Sequence, residues 1–539
     1  MKADYIHYSK NYLLPCLIFP MAAGAFTGVL IFLFKLCASL VISLSSALYA
    51  AVRTAPTLLP LLLAGAAVIG IIASLILKNI PESRGGGIPT SIALLRGIVT
   101  FRWVRGIISV FFSAMLTYLC GVPLGNEGPS VQIGTAVGSG VTGKHPAWRR
   151  YIMTSGASAG FAAATGAPLT GIMFAFEEAH RRFSPMLFLV SSIGALTGTA
   201  VMNGLCELSP VLFGAEVSPV LFRLTPASTL PMKYLWLAAV IGIATGGFAA
   251  LYTKCYRPMR RLIRERLAKI PYSAKIALIF TAVAAIGFFS PRSIGSGHDL
   301  VDELLEGHGV NGALILVFIV RAALLLAATN ADVTGGLFVP TLAFGAVSGS
   351  LMGYLLVTMG LLPEEYYGIA VVIGITAFLS ASSRTPLMAL TFALEALGGL
   401  SNLLPIAVGG TAAFLFIEAV GIPDFTDIVL EAKAEAVHAG RTAQTVERHI
   451  TVSPDSFVVG KEIRDILWPA SCVILSVKRA DTFHAHGGTA IGAGDVLFVH
   501  YRTYAPEETL CELENLVGRQ EGTNAEPTLA EDEGDMPEI

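Results

Sequence analysis

Apolar runs follow one another from residue 12 to residue 421, at about 12–50, 56–78, 101–120, 128–143, 148–180, 186–205, 231–258, 273–290, 312–329, 338–359, 365–397 and 402–421. A bilayer core is crossed by roughly 20 apolar helical residues, so most of these runs predict membrane helices. Three stretches, 88–97, 128–143 and 386–397, are too short and begin at or beside glycine or proline. Interrupted helices at membrane depth are tolerated only where they are buried in protein or line a cavity. In transporters such helices mark the binding site. After Val437 the pattern changes to the period of a soluble unit, with strand-like 450–452, 473–477 and 496–499, a turn at 492–495 and a short helix over 507–517. The tail 518–539, rich in Glu, Asp, Thr and Pro, is expected to be disordered.

The run of short helices is repeated. Gly125-Asn126-Glu127-Gly128-Pro129, with Gly134 and Gly138, superposes on Gly336-Leu337-Phe338-Val339-Pro340, with Gly345 and Gly349, at an offset of 211. Gly156 to Phe161, Ala167-Pro168-Leu169 and Phe174 to Glu177 match Gly374 to Leu379, Thr385-Pro386-Leu387 and Phe392 to Glu395 at an offset of 218. A weaker echo pairs Gly85-Gly86-Gly87 with Gly295-Ser296-Gly297. Two homologous halves, about 12–205 and 231–421, follow, and such halves commonly enclose a site at their interface.

Composition agrees. Of 539 residues 54% are hydrophobic and only 14% charged, with 55 glycines, so the chain reads as an all-α polytopic membrane protein followed by a small α/β domain. The formal charge of −2 says nothing about partners, and nothing in it points to nucleic acid. Its distribution is informative. Lys2 and Lys10, the stretch 144–150, Arg181-Arg182 and the stretch 254–269 gather the basic residues, and these segments are expected to face the cytoplasm, with both termini. The seven cysteines are scattered without a CxxC pair and read as small buried hydrophobes. The first apolar run is too long for a signal peptide and reads as a membrane helix.

The chemistry concentrates at Glu127. An ionisable side chain in a hydrophobic region is a functional candidate. Here it stands between two glycines and ahead of Pro129, which is tolerated in a first helical turn. A helix N-terminus offers spare N–H groups and partial positive charge, so it can hold an anion or this carboxylate. The repeat places Phe338 at the equivalent position, so the scaffold does not demand an acid there. The same comparison separates Glu177, matched by Glu395 and read as a helix-end packing or hydrogen-bonding residue, from Glu178, which faces Ala396. His180 reads as an interfacial side chain.

Together, Gly85-Gly86-Gly87-Ile88-Pro89, Gly125-Asn126-Glu127-Gly128-Pro129 and Gly336-Leu337-Phe338-Val339-Pro340 resemble the CLC family of chloride channels and chloride/proton antiporters, over about residues 10–436. The resemblance implies a homodimer in the plasma membrane, each subunit an anion pathway between two inverted halves, with domain boundaries at about 1–438 and 447–517. It implies that the N–H groups of Leu337 and Phe338 coordinate the central anion and that those around Glu127 and Gly128 frame an outer site. Gly85 and Gly86 border the central site, Glu127 is the gating glutamate, and Glu178 is the inner proton-transfer glutamate. The family's central serine is replaced by Gly86 and its inner-gate tyrosine by Phe425, so both hydroxyls are missing. Asn126 stands where a basic residue is common and is similar to fluoride-exporting relatives, while the second-half motif keeps the chloride form.

The expected function is exchange of chloride or a similar small anion for protons, with a passive chloride channel as the alternative and fluoride/proton exchange as a lesser one. No cofactor, metal site or enzymatic role is expected. A potassium channel is disfavoured because no Thr-Val-Gly-Tyr-Gly filter occurs. Segment 447–517 resembles the C-terminal subdomain of RCK (TrkA-C) regulators, on Gly460-Lys461-Glu462-Ile463, the stretch 473–479 and Gly492 to Leu497. That implies a module that binds a small molecule or nucleotide, or one that clamps a dimer.

Overall fold

The computed structural model describes residues 14–80, 83–85, 87–99, 101–143, 145–214, 216–222, 228–307, 311–439, 442–479, 482–518 and 528–529. Lys2, Lys10, Gly86, Lys144 and nearly all of the tail 518–539 lie outside the described residues. The first half comprises α1 (Leu14–Thr54), α2 (Leu59–Asn79), α3 (Ile88–Leu95), α4 (Trp103–Leu119), α5 (Glu127–Thr142), α6 (Arg149–Thr165), α7 (Pro168–Met173) and α8 (Pro185–Phe213). The second comprises α9 (Leu235–Arg260), α10 (Tyr272–Phe289), α11 (His298–Leu305), α12 (Ala313–Asn330), α13 (Phe338–Thr358), α14 (Tyr367–Ser383), α15 (Pro386–Ala396), α16 (Leu403–Val420) and α17 (Phe425–Val437). Among the described residues nine helices are long and apolar enough to cross a membrane, and the chain is a multi-pass membrane protein.

The repeat is structural as well as sequential. Helix starts correspond between α3 and α11 at an offset of 210, α5 and α13 at 211, and α6 and α14, like α7 and α15, at 218. Gly125 N donates to Gly336 O at 2.8 Å and Gly336 N to Gly125 O at 2.7 Å, the reciprocal pairing that a local two-fold axis produces. A second exchange flanks it. Glu177, in a single π-helical turn (Phe174–Ala179) that continues α7, accepts from Leu387 N (3.0 Å) and Met388 N (2.6 Å) at the start of α15. Glu395 at the end of α15 accepts from Leu169 N and Thr170 N, both at 2.8 Å, at the start of α7. Each half's glutamate thus satisfies the open N–H groups of the other half's short helix.

Small residues let the buried helices touch backbone to backbone. A Cβ on Gly134 would lie 2.0 Å from Gly156 O, and one on Gly138 2.2 Å from Ile152 O, so α5 and α6 pack without intervening side chains. Gly345 and Gly349 set α13 on α14 the same way, 2.6 Å from Ile375 Cα and from Ala370 O. The apolar runs 148–180 and 365–397 each break in two: Gly166 and Arg384 take left-handed conformations and Pro168 and Pro386 start new helices. Proline adds too little polarity to show in hydropathy, which is why each run reads as continuous.

Beyond α17 the chain forms an antiparallel sheet in the order β3-β2-β4-β1-β5, with β1 (Gln444–Thr451), β2 (Cys472–Lys478), β3 (Thr482–His484), β4 (Val496–Thr503) and β5 (Thr528–Leu529). Helix α18 (Pro506–Val517) buries Leu513, Leu516 and Val517 against the same core as Val477, Leu497 and Val499. The three expected strands and the helix are present. The domain grips the N-terminal end of α6. Tyr151 Oη donates to Asp465 O (2.7 Å) and accepts from Leu467 N (3.0 Å), and Arg150 pairs with Glu512. Trp148 meets Phe457 edge to face at 5.1 Å.

Candidate functional site

Three loops converge beside the two-fold axis, each feeding a helix N-terminus: residues 83–87 before α3, 124–126 before α5 and 332–337 before α13. They meet through glycine. A Cβ on Gly128 would lie 2.5 Å from Gly336 Cα and 2.6 Å from Gly87 Cα, so no side chain fits where the three backbones cross. Gly85 and Gly87 have φ of +54° and +110°, a region glycine enters without steric cost, and this turns the chain sharply into α3. Gly85 N donates to Asp332 O (2.8 Å) and Gly87 N to the Gln132 side chain (3.2 Å), tying the first loop to both others.

Glu127 is the first residue of α5 and is 0% exposed. Its carboxylate folds back over its own helix end, where Oε2 is the atom that a Cβ on Gly125 would strike. The Asn126 amide reaches the same oxygens, 3.3 Å from Oε2 with its nitrogen turned inward. The acid therefore occupies the place an anion would take at this N-terminus.

At the two-fold-related position Phe338 begins α13, with Leu337 before it and no side chain capping the helix. The Phe338 ring is held edge-on by Phe161 (4.9 Å) and Phe392 (5.1 Å). The side chain is thus spent on packing, while the helix end keeps its orphan donors. Phe425 begins α17 and lies 6% exposed, its ring against Tyr252 (4.9 Å) and Tyr256 (5.5 Å) of α9.

Tyr256 also lines a cavity bordered by Gly85, Pro89, Leu337, Arg264 and Lys433. Lys433 Nζ donates to Arg84 O (2.9 Å) and Thr90 Oγ1 (2.6 Å), and Arg264 pairs with Asp332 at 3.0 Å. Sequence reasoning missed these residues. Lys433 stands in a charged, ordinary-looking helix, and nothing in its spacing announces that α17 packs on α3.

Glu178 lies apart from these loops. Consecutive helical residues point to different sides of the axis, so the two adjacent acids meet different neighbours. Glu177 points at α15, whereas Glu178 is 5% exposed and accepts from Thr426 Oγ1 at 3.2 Å. Asp424 caps α17 through Thr426 N (2.8 Å), and Arg181 bridges Asp424 and Asp427. Phe174, in the same turn, stacks on Phe161 (5.9 Å), which touches Phe338, so aromatic rings fill the space on the way from Glu178 to the loops. His180 bonds Thr154 at 2.8 Å, and among the described residues no His, Cys, Asp and Glu group could hold a metal.

The model of the voltage gated chloride channel family matches residues 69–418. Among solved structures, a slow cyanobacterial Cl−/H+ antiporter is similar at 23% identity and a TM-score of 0.70, over 78% of this chain and 98% of that one. A CLC-type fluoride/proton antiporter is similar at 17% identity and 0.62, over 75% and 95%. A eukaryotic CLC transporter is similar at 20% identity and 0.64, over 78% and 74%.

Proposed function

Because this chain belongs to the voltage gated chloride channel (CLC) family, we propose that it exchanges chloride or a similar small anion for protons across the plasma membrane. The observation that carries the reading is the buried Glu127 carboxylate folded back over its own helix end, while the repeat leaves Phe338 at the matching end. Charged, Glu127 fills the outer anion position; protonated, it yields that position, so one proton moves against anion movement. A halide leaving water needs donors without a full countercharge that would trap it, and helix-end N–H groups supply them. In this reading Leu337 and Phe338 donate to the central anion, Gly85, Gly86 and Gly128 bring backbone close to it, and Phe425 closes the inner side. Tyr256 and Lys433 border the cytoplasmic approach. Glu178 passes protons by a route separate from the anion's.

The protein then acts as a transporter and not an enzyme, works without a cofactor, and pairs as a homodimer in the bilayer. Its sheet domain serves as a TrkA-C-like regulatory or dimerising module on the cytoplasmic side, where both termini lie. In proteoliposomes, an imposed chloride gradient is expected to drive uphill proton movement. Glu127→Ala and Glu178→Ala abolish it, and anion flux survives the second. Chloride flux without proton movement in the unmodified protein overturns exchange and leaves the passive channel. A parallel fluoride gradient decides the anion, since Asn126 is the one motif residue that departs toward the fluoride type.

A further inference from the structure

Lys35 is the only charged residue of α1 before Arg53, and an ammonium in the body of a membrane helix is costly unless it serves a purpose. Its Nζ donates to Ala164 O and Ser218 O, each at 3.0 Å. Ala164 is in the last turn of α6, where carbonyls are open and the helix end is negative. Two of the three N–H donors are thereby used, and among the described residues Lys35 pairs with no carboxylate at ion-pair distance.

The segment 216–222, which Lys35 reaches at Ser218 O, ties the end of α6 to the start of α11: Leu221 N donates to Thr165 O at 3.1 Å, and His298, stacked on Phe222 at 4.9 Å, reaches Leu221 O. Helix α11 is the repeat partner of α3. The buried guanidinium of Arg321 is used up on Arg292 O, Ile294 O and Gly295 O at 2.9–3.0 Å. His298 is engaged by Asp302 (3.2 Å). A Cβ on Gly160 would lie 2.3 Å from Ser130 O, so the last turn of α6, to which Lys35 is bonded, abuts the first turn of α5, where Glu127 stands.

We propose that Lys35 is the cation of the outer anion position: when the Glu127 carboxylate is neutral or withdrawn, a halide takes its place and is held by the Lys35 ammonium together with the N–H groups of α5. It supplies, from another helix, the positive charge absent at Asn126. The two backbone carbonyls hold the ammonium in place when the carboxylate leaves.

The inference rests on the reading that the α5 N-terminus binds anions, and one titration separates the two. Chloride binding is measured calorimetrically on purified Glu127→Gln protein, alone and combined with Lys35→Gln or Lys35→Arg. Lys35→Gln is expected to weaken binding at least fivefold and Lys35→Arg to restore it within twofold. Equal affinity in Glu127→Gln and Glu127→Gln/Lys35→Gln overturns the role of Lys35, whereas no binding by Glu127→Gln itself overturns the site. Should Lys35→Gln fail to fold, bromide soaked into Glu127→Gln crystals gives the answer by anomalous scattering. A bromide at the α5 N-terminus with Lys35 Nζ as its nearest cation supports the assignment, and one whose nearest cation is another group sinks it.

Discussion

Tyr151→Phe should loosen the sheet domain's grip on α6 without disturbing either fold. The ring is 0% exposed and keeps its contacts with Trp148 (6.1 Å) and Phe457 (5.8 Å) after the change. Only the oxygen is lost, and with it the bonds to Asp465 O and Leu467 N. Each buried backbone group left unpaired costs about 1–3 kcal/mol, so two cost roughly 2–6 kcal/mol, less whatever water recovers by entering. The domain stays attached through Arg150 on Trp468 O and Arg182 on Ile466 O, so the loss appears as local opening of 463–470. Taking the low end, about 2 kcal/mol is roughly a 30-fold rise in opening. Hydrogen exchange followed by mass spectrometry on the full chain reads this directly: the peptide covering 463–470 should lose about that factor of protection while β4 keeps its own. Unchanged protection at 463–470 would refute the claim that the tyrosine hydroxyl holds the domain.

Gly128→Ala places a Cβ 2.5 Å from Gly336 Cα and 2.6 Å from Gly87 Cα, so thermal stability should fall by about 1–3 kcal/mol and chloride binding with it. Gly204→Ala, with nothing within 4 Å, serves as the control. Glu177→Gln and Glu395→Gln should lower the melting temperature by similar amounts, since the two carboxylates hold equivalent helix ends, each charge-assisted bond being worth about 1.5–3 kcal/mol. Glu178→Gln, with one such bond, should shift it less while stopping proton movement. In the sheet domain, Arg479 donates twice to Asp495 at 2.7 Å and holds that carboxyl below the ordinary carboxylate range. A lowered folded value stabilises above the unfolded value of about 3.9, and the contribution fades as pH falls through the folded one. Arg479→Gln should therefore move the acid opening of β4, followed by hydrogen exchange against pH, to higher pH.

What the sequence reveals here is what the repeat duplicates. The offsets of 210, 211 and 218 reappear as paired helix starts, and the contrast of Glu127 with Phe338 identifies the acid as an addition to a shared scaffold. Glu177 was readable as a residue both halves need, but not as one that reaches across the axis, because an offset records equivalence and not contact. Lys433, Tyr256 and Lys35 were illegible for a related reason: each acquires its place from a helix distant in sequence. Lys35 did leave a trace, a lone charge in a long apolar helix. The π turn left none, although the repeat already told Glu177 from Glu178.

The N-terminus of α17 ties these pieces together. Three consecutive residues do different work there: Asp424 caps the helix and meets Arg181, Phe425 presents its ring to Tyr252 and Tyr256, and Thr426 donates to Glu178. This one turn of α17 thus touches both the two tyrosines of α9 and the buried Glu178. Arg182, next to Arg181, reaches Ile466 of the sheet domain. Phe425 itself carries no hydroxyl, and its ring sits against the two tyrosines of α9 that do.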